Sequence, residues 1–206
     1  MSESEEGDKS VLKQQQRRQA DAARQAQSEK DELSRKICEQ FVALPEYQWA
    51  GTVMWYLHCR SEVRTVDTLL TQLDSDKCCV IPYCTVDEQG RNKLGLWRLE
   101  DLNELVTGTW GILEPPQERW LEPAKRVDVE ELDLIMAPGV AFDCNGGRLG
   151  HGAGYYDRLL ENVREDAVVA GVCYQAQLLE SVAMDSHDVY MDKVITETAV
   201  YRGKGR

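Results

Sequence analysis

The stretch that decides the fold is LDLIMAPGVAFDCNGGRLGHGAGYYDRLL, residues 132–160. It opens with a continuous apolar run, continues through five glycines in nine positions, and closes on Leu159 and Leu160. The apolar run predicts a strand buried on both faces. The leucines after the glycines predict a helix that begins near Tyr155. A strand, a loop and a helix in this order indicate an α/β fold, which binds ligands beyond the carboxyl ends of its strands.

The rest of the chain repeats this alternation of strands and helices. Apolar or alternating runs predict strands at 50–57, 78–84, 93–99, 132–143, 167–174 and 194–201. Composition and apolar spacing predict helices at 9–27, 28–44, 65–73 and 175–181, the second of them capped by Ser28. The Gly- and Pro-rich segment 107–123 predicts a loop.

This alternation predicts one α/β domain over residues 9–206, with three layers: a largely parallel central sheet flanked by helices. The helices at 9–44 would form an N-terminal arm, and the sheet would occupy residues 50–201. The polar, acidic residues 1–8 are expected to be a disordered tail.

Charge and composition narrow the class of protein. The formal net charge of −12 argues against nucleic-acid binding, because such a surface repels a phosphate backbone. No apolar run approaches the roughly 18 residues that cross a bilayer, and the acidic N-terminus is unlike a signal peptide, so we expect a cytoplasmic protein without membrane contact. Seven cysteines without a C-x-x-C spacing predict free thiols rather than disulfides or a metal site.

The glycine-rich segment admits two interpretations, a structural turn or a phosphate-binding loop. Gly150, Gly152 and Gly154 form G-x-G-x-G, which matches neither the P-loop nor the dinucleotide fingerprint. Glycines nevertheless let a phosphate approach the backbone, and Arg148 would add hydrogen-bond donors. Asp157, one turn into the helix, would either complement the helix dipole or bind Mg²⁺ together with substrate phosphates.

The N-terminal arm carries a second candidate feature. Lys9, Lys13 and Arg17 recur every four residues, which places them on one face of a helix. This face is either a solvated basic surface or a cationic arm over a polyphosphate.

These motifs together resemble a known family. LIMAPGVAFDCNGGRLGHGAGYYDRLL closely resembles the signature of the 5-formyltetrahydrofolate cyclo-ligase family, also called 5,10-methenyltetrahydrofolate synthetase. The segments KSVLK, YLHCRSEVRT, GTWGILEP and HDVYMDKVITE agree in order. The resemblance implies a Rossmann-like α/β fold with a mixed central sheet. It also implies that ATP and Mg²⁺ are used to convert 5-formyltetrahydrofolate, with or without a polyglutamate tail, to 5,10-methenyltetrahydrofolate, with release of ADP and phosphate.

The resemblance also implies roles for individual residues. Arg148 and Tyr155 are expected to be catalytic, and Asp157 and Asp188 to bind Mg²⁺. The expected nucleotide contacts are Lys9, Lys13, Arg148, Leu149, Gly150, His151, Gly152, Ala153, Gly154, Tyr155 and Asp157. The expected folate contacts are Leu57, Glu62, Trp110, Tyr155 and Tyr156. A monomer is expected.

Three positions depart from the family pattern, and these departures leave other functions open. His151 and Ala153 lower the charge of the loop unless His151 is protonated, and Tyr83 stands where some members carry an arginine. A folate- or nucleotide-binding regulator without turnover is therefore the first alternative. A sugar-phosphate isomerase or acyltransferase relative is the second, by analogy of fold alone.

Overall fold

The computed structural model describes residues 3–108, 111–186 and 188–206. Its helices are α1 (Glu3–Ala26), α2 (Lys30–Val42), α3 (Pro45–Trp49), α4 (Val66–Gln72) and α5 (Tyr155–Leu160). Its strands are β1 (Thr52–Met54), β2 (Cys78–Val86), β3 (Asn92–Arg98), β4 (Val106–Thr107), β5 (Leu113–Glu114), β6 (Leu134–Ala137), β7 (Ala141–Asp143), β8 (Arg148–Leu149), β9 (Val168–Val172), β10 (Leu178–Leu179), β11 (Lys193–Ile195) and β12 (Val200–Arg202).

The central sheet has seven strands in the order β12-β11-β9-β6-β1-β2-β3. The five inner strands run parallel to their neighbours, whereas β12 and β3 join the two edges in antiparallel orientation. The predicted α/β class with a largely parallel, mixed sheet is therefore confirmed. Two small sheets, β10-β7-β8 and β4-β5, lie outside it.

Both faces of the central sheet are buried. Along β6, Leu134 and Met136 pack into one core, while Ile135 and Ala137 pack into the other. Successive side chains of a strand point to opposite faces, so this unbroken apolar run supplies both cores at once. Core packing on each face confirms the three-layer arrangement.

The N-terminal arm differs from the prediction at its start. Helix α1 begins at Glu3 instead of Lys9, so residues 3–8, expected to be disordered, are helical. Residues 3–8 contain no proline, so the sequence holds no strong helix breaker in this segment. Helix α2 begins at Lys30 after Glu29, which has φ 52°, and Ser28 does not cap it.

Two long strands predicted from apolar runs are divided in the structure. The run 132–143 forms β6 and β7, which belong to different sheets, because Pro138 cannot donate to a ladder and Gly139 permits the turn. The run 194–201 folds back after Ile195, so β11 and β12 pair antiparallel. Residues 175–181, predicted as a helix, form one 3-10 turn followed by β10.

Two expectations from composition can be compared with the structure. None of the seven cysteines, all of which lie in the described ranges, forms a disulfide, and Cys38, Cys79 and Cys173 are buried in the core, as small apolar residues are. Across the described ranges, no helix combines the length and the apolar character needed to cross a membrane.

Candidate active site

A cleft of about 810 Å³ opens at the carboxyl ends of the parallel strands. Residues that follow β1 and β6 and residues within β2 line it, together with helix α1 and the loop before α5. In the sheet, β1 lies between β2 and β6, so the strand order changes direction there. This change of direction is the place where α/β folds bind ligands.

The glycine loop forms one wall of the cleft, and its backbone is held by side chains from three elements. The carbonyl of Gly150 accepts a hydrogen bond from Arg17 Nε at 2.8 Å. The carbonyl of Ala153 accepts from Arg158 Nη2 at 2.7 Å and from Asn92 Nδ2 at 3.3 Å. These contacts fix the direction of the loop peptides before any ligand binds.

Two glycines of the loop have left-handed backbone conformations, with φ 91° at Gly152 and φ 71° at Gly154. Only glycine adopts this region without strain. A Cβ on Gly152 would meet nothing closer than Arg17 Nη2 at 3.9 Å, so the requirement at this position is one of backbone conformation, not of space. The G-x-G-x-G spacing thus places glycines at two positions where the loop backbone is left-handed.

We predict that Gly152→Ala raises KM for ATP about tenfold and leaves KM for the folate substrate unchanged. The cause would be about 1–2 kcal/mol of backbone strain, which would turn the peptides of the loop away from the phosphates that they are expected to bind. Gly90→Ala is the matched control, since Gly90 also has positive φ (75°) with open space around it but lies in a turn outside the cleft. Steady-state kinetics compare the two variants, and equal effects on KM for ATP would contradict the prediction.

Arg148, which is buried, forms an ion pair with the half-buried Asp157 next to the loop. Arg148 Nη2 donates to Asp157 Oδ1, and the guanidinium lies over the Tyr156 ring, 5.7 Å from its centroid. The Arg148 side chain is 3% exposed and the Asp157 side chain 34% exposed, so the carboxylate is the partner that faces the cleft. Arg148 therefore positions Asp157, a role that the spacing of the residues did not suggest.

Asp143 organises the turn that delivers Arg148, and sequence reasoning missed it. Its carboxylate accepts backbone N–H bonds from Asn145, Gly147 and Val182 at 2.8–2.9 Å. The Asp143 side chain is buried, and its bond to Val182 connects the turn to the segment that contains Val182.

The cleft also carries most of the expected folate residues. Leu57, Glu62, Tyr155 and Tyr156 all line it. The Glu62 carboxylate accepts the N–H of Cys59 at 2.8 Å, and burial raises its pKa above the ordinary value. Trp110 lies outside the described residues, whereas Tyr83, packed on Trp120 with ring centroids 4.6 Å apart, provides an aromatic face in the cleft.

Lys9, Lys13 and Asp188 do not line the cleft. Lys9 pairs with Asp185 at 3.0 Å, and Lys13 contacts Asp185 and Asp188 at 2.5 and 2.6 Å. The carboxylates neutralise the two lysines, which holds the N-terminal half of α1 on the loop that carries them. Leu149 also lies elsewhere, since it packs in a small core with Ala20 and Val140.

The ion pairs of Lys9 and Lys13 with Asp185 and Asp188 predict that acid weakens the contact between α1 and the loop that carries the two aspartates. Hydrogen bonds from Lys13 and Lys9 lower the pKa of Asp185 from 3.8 to about 2. The stabilisation from a carboxyl with a depressed pKa is complete above its unfolded value and is lost as the pH falls through the folded value. Between pH 3.8 and about 2, urea midpoints should therefore fall more steeply in the wild type than in Asp185→Asn; parallel curves would contradict this.

The cleft is lined by further arginines, of which only Arg17 belonged to the predicted basic face. They are Arg17, Arg18, Arg24 and Arg60. Arg17 lies on the same helical face as Lys9 and Lys13, and Arg24 follows Arg17 by seven residues on that face. The helical period could therefore have identified Arg24 as a cleft residue. The pKa of His151 lies below its ordinary value, first because neighbouring atoms displace solvent and then because Arg24, Arg60 and Arg17 oppose a further positive charge, partly offset by Asp21.

The carboxylate of Asp157 fits a magnesium ion that is also bound by substrate phosphates. Mg²⁺ in phosphate sites keeps several waters and needs only one or two protein carboxylates. Within the part of the chain that the structure describes, no three acidic, histidine or cysteine side chains gather as a metal-binding group. Asp157 therefore fits alone, and Asp188 does not join it because Lys13 holds it elsewhere.

Comparisons with known proteins agree with this geometry. The model of the 5-formyltetrahydrofolate cyclo-ligase family matches residues 6–197. A probable 5-formyltetrahydrofolate cyclo-ligase of Schizosaccharomyces pombe is 32% identical, over 84% of this chain and 87% of the yeast protein. A 5-formyltetrahydrofolate cyclo-ligase of Mycolicibacterium smegmatis is 34% identical, over 70% of this chain and 73% of its own length.

A solved structure shares the whole architecture. The 5,10-methenyltetrahydrofolate synthetase of Aquifex aeolicus superposes with a TM-score of 0.78 at 34% identity and covers 95% of both chains. The synthetase of Mycoplasma pneumoniae has a TM-score of 0.68 at 25% identity, over 90% of this chain and 98% of its own. The family match, the sequence relatives and the shared fold lead to one conclusion: the chain belongs to the 5-formyltetrahydrofolate cyclo-ligase family.

Proposed function

We propose that this protein is an ATP-dependent ligase that closes 5-formyltetrahydrofolate to 5,10-methenyltetrahydrofolate with release of ADP and phosphate. One observation carries the proposal: a single cleft joins a glycine loop, suited to phosphates, to a buried carboxylate, suited to a pterin. The Glu62 carboxylate would accept the paired N–H groups of the pterin ring, as carboxylates do from guanidine-like edges. The two substrates would then meet between Glu62 and the loop.

The chemistry requires alignment and charge neutralisation more than a protein nucleophile. The γ-phosphoryl group of ATP transfers to the formyl oxygen, which leaves ADP and an iminium phosphate. N10 then attacks the formyl carbon, the N10 proton is lost, and the carbon–oxygen bond breaks to release phosphate. Preorganised donors and fixed substrate positions are what accelerate such transfers.

The residues of the cleft divide these tasks. Gly150 to Gly154 would receive the phosphates, and Arg17 would neutralise their charge at the loop, where it already contacts Gly150. Asp157 would hold Mg²⁺, which neutralises phosphate charge when bound. Arg148 would orient Asp157 from below, and Tyr155 and Tyr156 would border both substrates.

A non-catalytic regulator is the less supported function. The weak charge of the loop, with Ala153 and an uncharged His151, motivated that alternative. Arg17, Arg18 and Arg60 line the same cleft and supply positive charge from another direction. The cleft thus contains positive charge suited to phosphates, but arginines outside the glycine loop supply it.

The cellular setting is proposed on separate grounds. Cysteines that form no disulfides fit a reducing compartment, and we propose that the enzyme acts in the cytoplasm as a monomer on folates with or without a polyglutamate tail.

A steady-state assay tests the proposed reaction. Formation of the methenyl product is followed by its absorbance, and ADP by a coupled enzyme, while 5-formyltetrahydrofolate, ATP or Mg²⁺ is omitted in turn. The proposal expects both products only in the complete mixture and in equal amounts. Tight binding of both substrates without either product would instead identify the regulator.

A further inference from the structure

Arg24 has hydrogen-bond donors that the protein does not satisfy. The residue is 4% exposed, yet it lines the cleft. Its Nη2 donates to Asp21 at 2.7 Å, whereas its buried Nε and Nη1 have no hydrogen-bond partner. Nη1 lies 4.0 Å from Glu62 Oε1, which is close enough for charge attraction but too far for a hydrogen bond.

Such an arrangement is costly unless a ligand completes it. A buried donor without an acceptor costs about 1–3 kcal/mol, and more when it is charged. Native proteins keep few such groups, and those that remain mark sites for water, ions or substrates. Arg24 and Glu62 side by side therefore present a donor and an acceptor to whatever fills this end of the cleft.

Arg24 lies on a different turn of α1 from Arg17. Arg17 contacts the glycine loop at Gly150, and Arg24 follows it by seven residues on the same helix, about 10 Å further along the axis. Both Arg24 and Glu62 are largely buried, with side chains 5% and 15% exposed. A buried pair suits a compact ring better than a mobile, solvated substrate tail.

We propose that Arg24 donates hydrogen bonds to the 4-oxo group of the substrate's pterin ring and thereby sets the specificity of the cleft for 4-oxopteridines. This inference rests on the proposed function, which places the pterin at Glu62. Along one edge the ring presents the 2-amino group, N3–H and the 4-oxo oxygen, which are two donors followed by one acceptor. Glu62 accepts the two donors, and the adjacent Arg24 supplies the donor that the oxygen needs.

The test is a comparison of two ligands on two proteins. Calorimetry without ATP measures Kd for 5-formyltetrahydrofolate and for its 4-amino-4-deoxy counterpart, at a pH where both rings are neutral. The wild type is expected to prefer the 4-oxo ligand for two reasons, because the neutral 4-amino ring places an acceptor, N3, against Glu62 and a donor, the 4-amino group, against Arg24. Arg24→Met should reduce that preference about 10- to 100-fold, because this factor corresponds to the free energy of a hydrogen bond to a charged group. The same variant should leave Kd for an ATP analogue unchanged.

Arg24→Lys keeps the charge between Asp21 and Glu62 but lacks the planar fork, so it should lose most of the part of the preference that Arg24 confers, even if Arg24→Met does not fold. Arg35→Met, an exposed arginine on α2, is the control that should change neither Kd. An equal loss for both ligands would overturn the proposal, as would a loss confined to the ATP analogue. A loss that disappears with a pteroate ligand lacking the glutamate would assign Arg24 to the tail carboxylate instead.

Failure of this inference and failure of the proposed function give different results. A wild type that binds neither folate ligand contradicts the proposed function. A wild type that binds and converts 5-formyltetrahydrofolate, with an Arg24→Met variant of unchanged ligand preference, contradicts only the role of Arg24.

Discussion

Asp157→Ala is expected to lower kcat/KM by about three orders of magnitude and to destabilise the fold by about 3 kcal/mol. The catalytic loss follows from removing the carboxylate that would bind Mg²⁺ beside the transferring phosphate. The loss of stability follows from the asymmetry of the ion pair, since Arg148 is 3% exposed and would be left charged and buried. Activity assays and urea unfolding measure the two effects.

Matched variants separate the two effects of Asp157. Asp157→Asn keeps an acceptor for Arg148, so it should lose activity while retaining most of the stability. Asp166→Ala removes the partner of an exposed pair, with the Asp166 side chain 79% exposed, and should change the unfolding free energy by less than about 1 kcal/mol. An active Asp157→Asn enzyme would contradict the role assigned to this carboxylate.

Glu62→Gln is expected to raise KM for 5-formyltetrahydrofolate about 100-fold and to leave KM for ATP unchanged. An amide offers one acceptor where the pterin edge needs two, and its NH₂ group opposes a ligand donor. Loss of one member of a buried, charge-assisted contact costs about 2–5 kcal/mol in binding. Glu88→Gln, at an exposed turn outside the cleft, is the control that should alter neither constant.

The same carboxylate predicts a pH dependence of substrate binding. Burial raises the pKa of Glu62, so protonation begins at a higher pH than for an exposed glutamate. The protonated acid cannot accept both pterin donors, and KM for the folate should therefore rise as the pH falls through the raised pKa. In Glu62→Gln that rise should be absent; a rise of the same size in both proteins would assign the titration to another group.

The sequence was sufficient where one local pattern determines the structure. The unbroken apolar run at Leu134–Ala137 predicts a strand buried on both faces, and the structure has that strand between two cores. The spacing of Gly150, Gly152 and Gly154 predicts a special loop, and two of these glycines have positive φ. In both cases the requirement lies within a few neighbouring residues.

The prediction was incomplete where distant residues meet. Lys9 and Lys13 pair with Asp185 and Asp188, more than 170 positions away, and no local pattern distinguishes this pairing from contact with a ligand. The unpartnered donors of Arg24 depend on which acceptors other segments bring near, so they are visible only in the folded chain. The division of 132–143 at Pro138 was foreseeable, because proline interrupts a ladder.

Isotope transfer tests the central claim, phosphorylation of the formyl oxygen, most directly. 5-Formyltetrahydrofolate labelled with ¹⁸O in the formyl group is converted in unlabelled water with ATP and Mg²⁺, and the released phosphate is analysed by mass spectrometry. If the formyl oxygen attacks the γ-phosphoryl group, each phosphate carries one ¹⁸O atom. Unlabelled phosphate, with the ¹⁸O recovered in water, would contradict the account.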